Sequence, residues 1–156
     1  MIVYITIILL LLYSSFYFIF NDEITIYQSD IEHFDFNMLY NKQPIVIADS
    51  LQDPMQIIKS WFNLNIIDTR VINSDIWIRN KYKYLIVYSD DAEITLCNPK
   101  HKMINKTPEN TEQLITIKLK NKRLLIIPFK WYYNINGNVV LYGVHDFITK
   151  IFEYIS

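Results

Sequence analysis

Hydrophobic positions fall into two regimes along this chain. Ile2 to Phe20 is a 19-residue run with no charged side chain, relieved only by Thr6, Ser14, Ser15 and the amphipathic Tyr4, Tyr13 and Tyr17. As one helix it would be roughly 28 Å long, close to the hydrocarbon thickness of a bilayer. It has no polar face, which suits lipid better than a small core. The competing reading is a cleaved secretory signal peptide, with a basic start, a shorter apolar centre and a small-residue cleavage site. Here no Lys or Arg precedes Lys42, and no A-x-A pattern follows the run; Tyr13-Ser14-Ser15 begins with a bulky side chain. The preferred expectation is an uncleaved signal-anchor: one N-terminal transmembrane helix over residues 1–21 of a single-pass protein.

The second regime begins after an acidic, mixed connector, residues 22–43, which holds a short predicted strand at 24–27. Residues 44–156 read as one domain. Pro44-Ile45-Val46-Ile47-Ala48 is a short β-branched run, the pattern of a buried strand. Asp53-Pro54 supplies an N-cap and a first-turn proline, and Ile57, Ile58, Trp61 and Phe62 then recur at helical spacing. After that the pattern is mostly β, with strands predicted at 76–79, 84–88, 93–97, 115–119, 124–127, 131–135 and 139–142. Ser89-Asp90-Asp91, Asn121-Lys122 and Asn136-Gly137 are predicted as tight turns between consecutive strands. Residues 98–113 form the longest loop. A closing helix is predicted from about Asp146, with Phe147, Ile148, Ile151, Phe152 and Ile155 along one side. The fold class is mainly β with flanking helices (α+β), a small barrel or two-sheet roll.

Composition narrows the picture further. Residues 22–156 are numerous enough for one real core. Residues 1–41 carry five acids and no bases, leaving 15 bases and 11 acids in residues 42–156, a net of +4. That is too mild to point to nucleic acid. Cys97 is the single cysteine, so there is no internal disulfide and no cysteine-based metal site; it reads as a small buried hydrophobe on a strand. The wealth of Ile, Asn, Lys and Tyr, with two Ala and two Gly, is the bias of AT-rich coding, as in large DNA viruses or some protists. No Lys or Arg lies within twenty residues of the apolar run, so orientation rests on the α-amino group. That favours a cytosolic N-terminus and a translocated C-terminal domain, in a viral or host endomembrane. Asn105-Lys106-Thr107 is a glycosylation sequon usable on that side.

Three segments, in order, resemble the cupin-like domains of the Jumonji type. Gln43-Pro44-Ile45-Val46-Ile47, preceded by Phe36 and Tyr40, is similar to that family's opening strand. Residues 84–99, ending Leu96-Cys97-Asn98-Pro99, look like its strand–turn–strand with a Leu-x-x-Pro step. Leu124-Leu125-Ile126-Ile127-Pro128-Phe129-Lys130-Trp131-Tyr132-Tyr133 resembles its apolar strand, Pro, turn, Trp and aromatic residue. Active members are Fe(II)- and 2-oxoglutarate-dependent oxygenases, which hold iron with two His and one carboxylate. The resemblance therefore implies a cupin-like double-stranded β-helix and, where ligands are present, iron chemistry. This chain departs at those positions. Tyr133 stands where the last iron ligand is expected, and no histidine lies between Phe34 and Lys100. Asn73-Ser74-Asp75 occupies the place of the His-x-Asp pair.

Other candidates carry less. His33-Phe34-Asp35 spells His-x-Asp, and with His145 completes a nominal ligand set, but it precedes the opening strand. His145-Asp146 reads as a flanking residue followed by an N-cap. His101, between Lys100 and Lys102, reads as part of a solvated loop. Lys118, Lys120, Lys122, Arg123 and Lys130 form a basic strip that either protects a strand edge or meets lipid headgroups. Trp131, Tyr132 and Tyr133 should alternate between interior and surface. The sequence thus supports a membrane-anchored, non-catalytic cupin-like structural or interaction protein, without cofactor or metal, that contacts an unidentified protein partner. The alternative is a divergent Fe(II)/2-oxoglutarate oxygenase or other metal-dependent enzyme using His33, Asp35 or His145.

Overall fold

A computed structural model describes residues 1–22, 24–72, 75–111 and 113–155. In chain order the elements are α1 (Ile2–Phe16), β1 (Tyr27–Ser29), β2 (Ile45–Ile47), α2 (Pro54–Trp61), β3 (Ile66–Ile72), β4 (Ile78–Arg79), β5 (Tyr84–Cys97), β6 (Met103–Ile104), β7 (Thr107–Pro108), β8 (Ile115–Pro128), β9 (Tyr132–Gly137), β10 (Val139–His145) and α3 (Phe147–Ile155), with a 3₁₀ segment at Phe36–Asn41. The expectation of a mostly β chain with flanking helices is met. The main sheet runs β1-β2-β8-β5-β10-β3, and β9 joins it by pairing with β5 and β4.

The three predicted hairpin turns are not turns. β5 and β8 are each continuous over 14 residues and pair antiparallel along their length, from Tyr84 opposite Pro128 to Leu96 opposite Ile115. Ser89 faces Arg123 and Asp91 faces Lys120, so Asn121 and Lys122 together oppose Asp90. Both take left-handed φ values, 58° and 59°, the geometry of a bulge. β9 runs beside residues 92–97 of β5 and β10 beside residues 84–88, with Gly137 and Asn138 carrying the chain between them. Gly137 has φ 122°, and a Cβ there would lie 3.0 Å from the Asp91 carbonyl oxygen. Ser89 Oγ donates to the Asn138 carbonyl at 2.8 Å. The three polar or glycine-bearing segments therefore lie side by side and form one crease across the sheet. Residues that tolerate positive φ serve a bulge as well as a turn, which is why pattern alone misassigned them.

Folding at the crease brings the two half-sheets face to face. Leu85, Val87, Leu125 and Ile127 from one half meet Ile94, Leu96 and Ile117 from the other around Trp131. The outer face of the first half, including Ile86, Leu124 and Ile126, packs on Leu39, Ile58 and Phe62 of the helical segments. Strand residues 124–127 are thus covered on both sides, which explains their unbroken apolar run. α2 starts as predicted: the Asp53 carboxylate accepts from the Gln56 amide at 3.3 Å, and Pro54 opens the first turn. β1 lies within the predicted connector, slightly beyond the predicted 24–27, and pairs parallel with β2.

The apolar N-terminal run departs from expectation. Its helix ends at Phe16, four residues short of Phe20, and at 15 residues it is about 22 Å long. No helix among the described residues is long and apolar enough to cross a membrane. The termination has a local cause. Ser14 and Ser15 hydroxyls donate back to the Leu11 and Leu12 carbonyls at 2.9 and 2.7 Å, and such bonds loosen a helix. The Tyr17 and Phe18 amides then close tighter bonds to Ser14 and Ser15. This turn brings Tyr17 down onto the domain, where its hydroxyl bonds Asp146 and its ring packs edge-on to Phe129 and Phe152.

Candidate functional site

At one mouth of the creased sheet, β3, β10 and α3 bring three ligand-type side chains together. β10 and β3 pair antiparallel, with Leu141 opposite Arg70, Gly143 opposite Asp68 and His145 opposite Ile66. Opposed residues share a face and alternate residues return to it. His145 therefore falls in the register of Val139 and Leu141, which point into the inner core. Gly143 leaves room in that row: a Cβ there would overlap the Tyr82 ring. Tyr82 fills the space and lies against the imidazole, ring centroids 4.6 Å apart.

His145 is fully buried, and neither ring nitrogen makes a hydrogen bond among the described residues. Its Nε2 lies 3.4 Å from Asp68 Oδ2 and 3.5 Å from Glu153 Oε2. The three ligand atoms lie within 4.8 Å of one another. Two ammonium groups complete the cluster. Lys150 Nζ is 2.8 Å from Glu153 Oε2 and 3.7 Å from Asp68 Oδ2, and Lys81 Nζ is 2.6 Å from Glu153 Oε1. The hydrogen bonds from Lys150 and Lys81 hold the Glu153 carboxyl down at about 2. Burial, reinforced by the Lys150 ammonium, holds the His145 pKa below its ordinary value against the pull of Glu153 and Asp68. The imidazole is thus neutral at pH 7, with a lone pair to offer. Beside the cluster a cavity of ≈ 110 Å³ is lined by Asp68, Arg70, Arg79, Lys81, Tyr82 and Tyr133, among others.

The candidates read from sequence fall in different places. His33 Nδ1 is 2.7 Å from Asp30 Oδ1, on the surface. Asp35 caps the 3₁₀ segment through the Asn37 amide at 2.9 Å. That segment packs through Leu39 on the outer face of the sheet, whereas His145 is in register with the inner face. The set His33, Asp35 and His145 is therefore not assembled. His145 was expected to be an ordinary flanking residue, and burial in the inward register corrects that reading. Asp146 caps α3 as expected, accepting from the Thr149 amide at 2.9 Å. Burial works against its charge, yet that amide, the Tyr17 hydroxyl and Lys83 keep its carboxyl at about 2.

Tyr133 is buried in the inner core, and burial pushes its phenol up to about 12. A neutral phenol does not fit ferrous iron at the resembled family's last ligand position. Of the Asn73-Ser74-Asp75 candidate, the first two residues lie outside the described residues and Asp75 is exposed. Trp131 and Tyr133 point inward, and Tyr132 lies under Arg79, the guanidinium 5.2 Å from its ring centre. Within the basic strip, Lys118 reaches Glu93 at 3.3 Å and Lys122 bonds Gln52 at 3.1 Å. Asn105 and Lys106 form the exposed turn of the β6–β7 hairpin with φ values of 51° and 66°. Cys97 is a buried free thiol raised by burial to about 11.

A second surface feature is apolar. Around the base of α1 a groove of ≈ 560 Å³ is lined by Phe16, Tyr17, Leu39, Tyr84, Pro128 and Phe129, among others. Lys130 Nζ sits 4.3 Å from the Phe18 ring centre, and Lys42 Nζ donates to the Ile19 carbonyl at 2.8 Å.

The fold and these sites define a mostly β domain that carries an apolar N-terminal helix and a buried histidine–carboxylate cluster. No protein-family model matches the chain, and a search of curated proteins found no match. Among solved structures it is similar to RmlC from Streptococcus suis, in a structure with dTDP-D-xylose, at 9% sequence identity and a TM-score of 0.33. The match covers 67% of this chain and 62% of that one, so the chain spans about three fifths of its length. A superposition of that extent does not define a shared fold.

Proposed function

We propose that this protein is a membrane-associated, non-catalytic scaffold, in which α1 embeds in lipid and presents a cupin-like roll to a protein partner at the bilayer surface. The observation that carries the reading is the surface of α1. Val3, Ile5, Ile7, Ile8 and every leucine of the helix are exposed. A helix apolar all round is stable in water only when something covers it. Its serine hydroxyls are satisfied within the helix, as hydrocarbon requires. At its base Tyr13, Phe16, Phe18 and the exposed Tyr40 stand near Lys42 and Lys130, the mixture of aromatic and cationic side chains that favours a headgroup layer. Tyr13 also donates to Asp146 at 3.0 Å, which fixes the helix base to the domain. The AT-rich bias of the sequence fits a large DNA virus as the source.

The test is vesicle flotation of the full chain with phosphatidylcholine, with and without phosphatidylserine. The parent should float, and an Ile8→Asp/Leu12→Asp variant should stay in the load fraction. Both positions are more than half exposed, so the domain should keep its fold. A variant that floats as well as the parent overturns the reading. Orientation has its own readout in microsomes. A glycan on Asn105, lost in Asn105→Gln, supports a translocated domain, and digestion of the domain by protease added outside sealed microsomes refutes it.

A further inference from the structure

We infer that Asp68, His145 and Glu153 form a binding site for one divalent transition-metal ion, zinc by preference, which clasps α3 to the mouth of the folded sheet. Tyr133, which stands where the sequence resemblance implies the last iron ligand, lines the adjoining cavity and is not among these ligands. Three observations support it. First, the donor set is one imidazole nitrogen and two carboxylate oxygens, a mixture suited to zinc and its neighbours in the first transition row. Second, the spacing from the imidazole to each carboxylate fits, and the three ligand atoms lie within 4.8 Å of one another. Tetrahedral ligands about 2.1 Å from a zinc ion stand about 3.4 Å from one another, and Nε2 is 3.4 and 3.5 Å from the two carboxylate oxygens. Third, the imidazole is fully buried, aimed between two carboxylates, and makes no hydrogen bond among the described residues. Buried polar groups in native proteins are nearly always paired, and a ring nitrogen set 3.4 and 3.5 Å from two anions, without a well-formed hydrogen bond to either, is a place a cation can take.

The rival occupant is present in the structure. Lys150 Nζ lies against Glu153 Oε2 and near Asp68 Oδ2 and so competes with a metal for the same oxygens. Lys81 holds the other Glu153 oxygen and can stay when an ion enters. This separates a metal site from a plain ion-pair network. Removing the Lys150 ammonium should strengthen the former and weaken the latter. Three protein ligands leave a fourth tetrahedral position, as in zinc sites that hold a water.

The experiment is equilibrium dialysis of the full chain against zinc, manganese and magnesium, with metal content read by mass spectrometry and melting followed with and without chelator. The expected result is one zinc per chain, a melting temperature raised by zinc and lowered by chelator, and no stoichiometric magnesium. Asp68→Asn and Glu153→Gln, both partly exposed, should each weaken zinc by well over about 100-fold, beyond the roughly 10–100-fold that loss of a supporting residue costs. Lys150→Met should tighten zinc binding while lowering the melting temperature of the metal-free chain. Cobalt(II) in place of zinc should show the intense visible bands of a four-coordinate site. Absence of stoichiometric zinc, or zinc retained unchanged by both carboxylate variants, overturns the assignment. The second outcome would place the ion elsewhere, at an exposed imidazole such as His33.

Discussion

Asn80 tests the account of how the two half-sheets are joined. It is a buried amide between β4 and β5, 1% exposed. Its Nδ2 donates to the Ile127 carbonyl at 3.0 Å and the Pro128 carbonyl at 2.8 Å, and its Oδ1 accepts from the Tyr82 amide at 2.9 Å. Its backbone bonds Trp131 and Lys130 across the same corner. Asn80→Ala removes three side-chain hydrogen bonds worth about 1 kcal/mol each, so it should cost about 3 kcal/mol. For a chain of this size that lowers the melting temperature by about 10 °C. Asn80→Asp keeps the shape and changes the chemistry. Its ionised carboxylate would face two carbonyl oxygens with no proton to share, so its folded-state pKa must rise above the unfolded value of about 3.9. The native state then binds more protons than the unfolded one, and stability falls as pH rises through that window. At pH 4 the protonated carboxyl of this variant can still donate one bond and accept another, so the loss should be near 1 kcal/mol. At pH 7 it should exceed the loss in Asn80→Ala. Thermal melts of the three full-length proteins between pH 4 and pH 7.5, with the parent profile subtracted, read both effects. An alanine variant within about 2 °C of the parent, or an aspartate variant with no excess pH dependence, would refute the reasoning.

Three further outcomes follow from packing. Gly143→Ala should cost about 1–3 kcal/mol, because its methyl would overlap the Tyr82 ring; urea melts should show Tyr82→Leu recovering part of that loss in the double variant. Ile58→Ala, at a fully buried position where α2 meets the sheet, should cost about 2–5 kcal/mol by the same measurement. The Cys97 thiol, buried and raised to about 11, should react with an aromatic disulfide at pH 8 roughly 200-fold more slowly than a free cysteine, and at the ordinary rate once urea unfolds the chain; a fast native reaction would contradict its burial.

The fold was legible where the pattern had one reading. Pro44–Ala48 as a buried strand, Asp53-Pro54 as a helix start and Asp146 as a cap all depend on local chemistry that no long-range contact reverses. The crease was not legible, because Asn121-Lys122 and Gly137 show the same residue types whether the chain reverses or bulges. What decides between them is the partner strand: Ser89 opposite Arg123 and Asp91 opposite Lys120 exist only once β5 and β8 have paired. β3 was missed for a related reason. Ile66, Ile67, Val71 and Ile72 flank Asp68, Thr69 and Arg70 without alternation, and the strand lies at the sheet edge with most side chains exposed or half-exposed. An edge strand lacks the two-faced burial that prints a clear pattern.

The site was hidden by that same omission. Its ligands stand at 68, 145 and 153, on a strand not anticipated, at the end of a strand predicted to stop at 142, and on the closing helix. One signal was nevertheless present. Val139, Leu141 and Gly143 set an inward parity, and two more residues of strand carry it to His145. A histidine in inward register needs a partner, because water cannot reach it and an unpaired buried nitrogen is costly. Among the described residues, the fold offers its Nε2 Asp68 and Glu153, and both carboxylates are already shared with lysines. Such a neutral imidazole with half-engaged anions leaves the local charge balance adjustable by a single cation. Lys150 fills that role from α3 in this structure, and a bound metal would compete for it. The closing helix also holds the base of α1, through Asp146 at its start and Phe152 within it, so the cluster and the apolar helix are anchored on the same element.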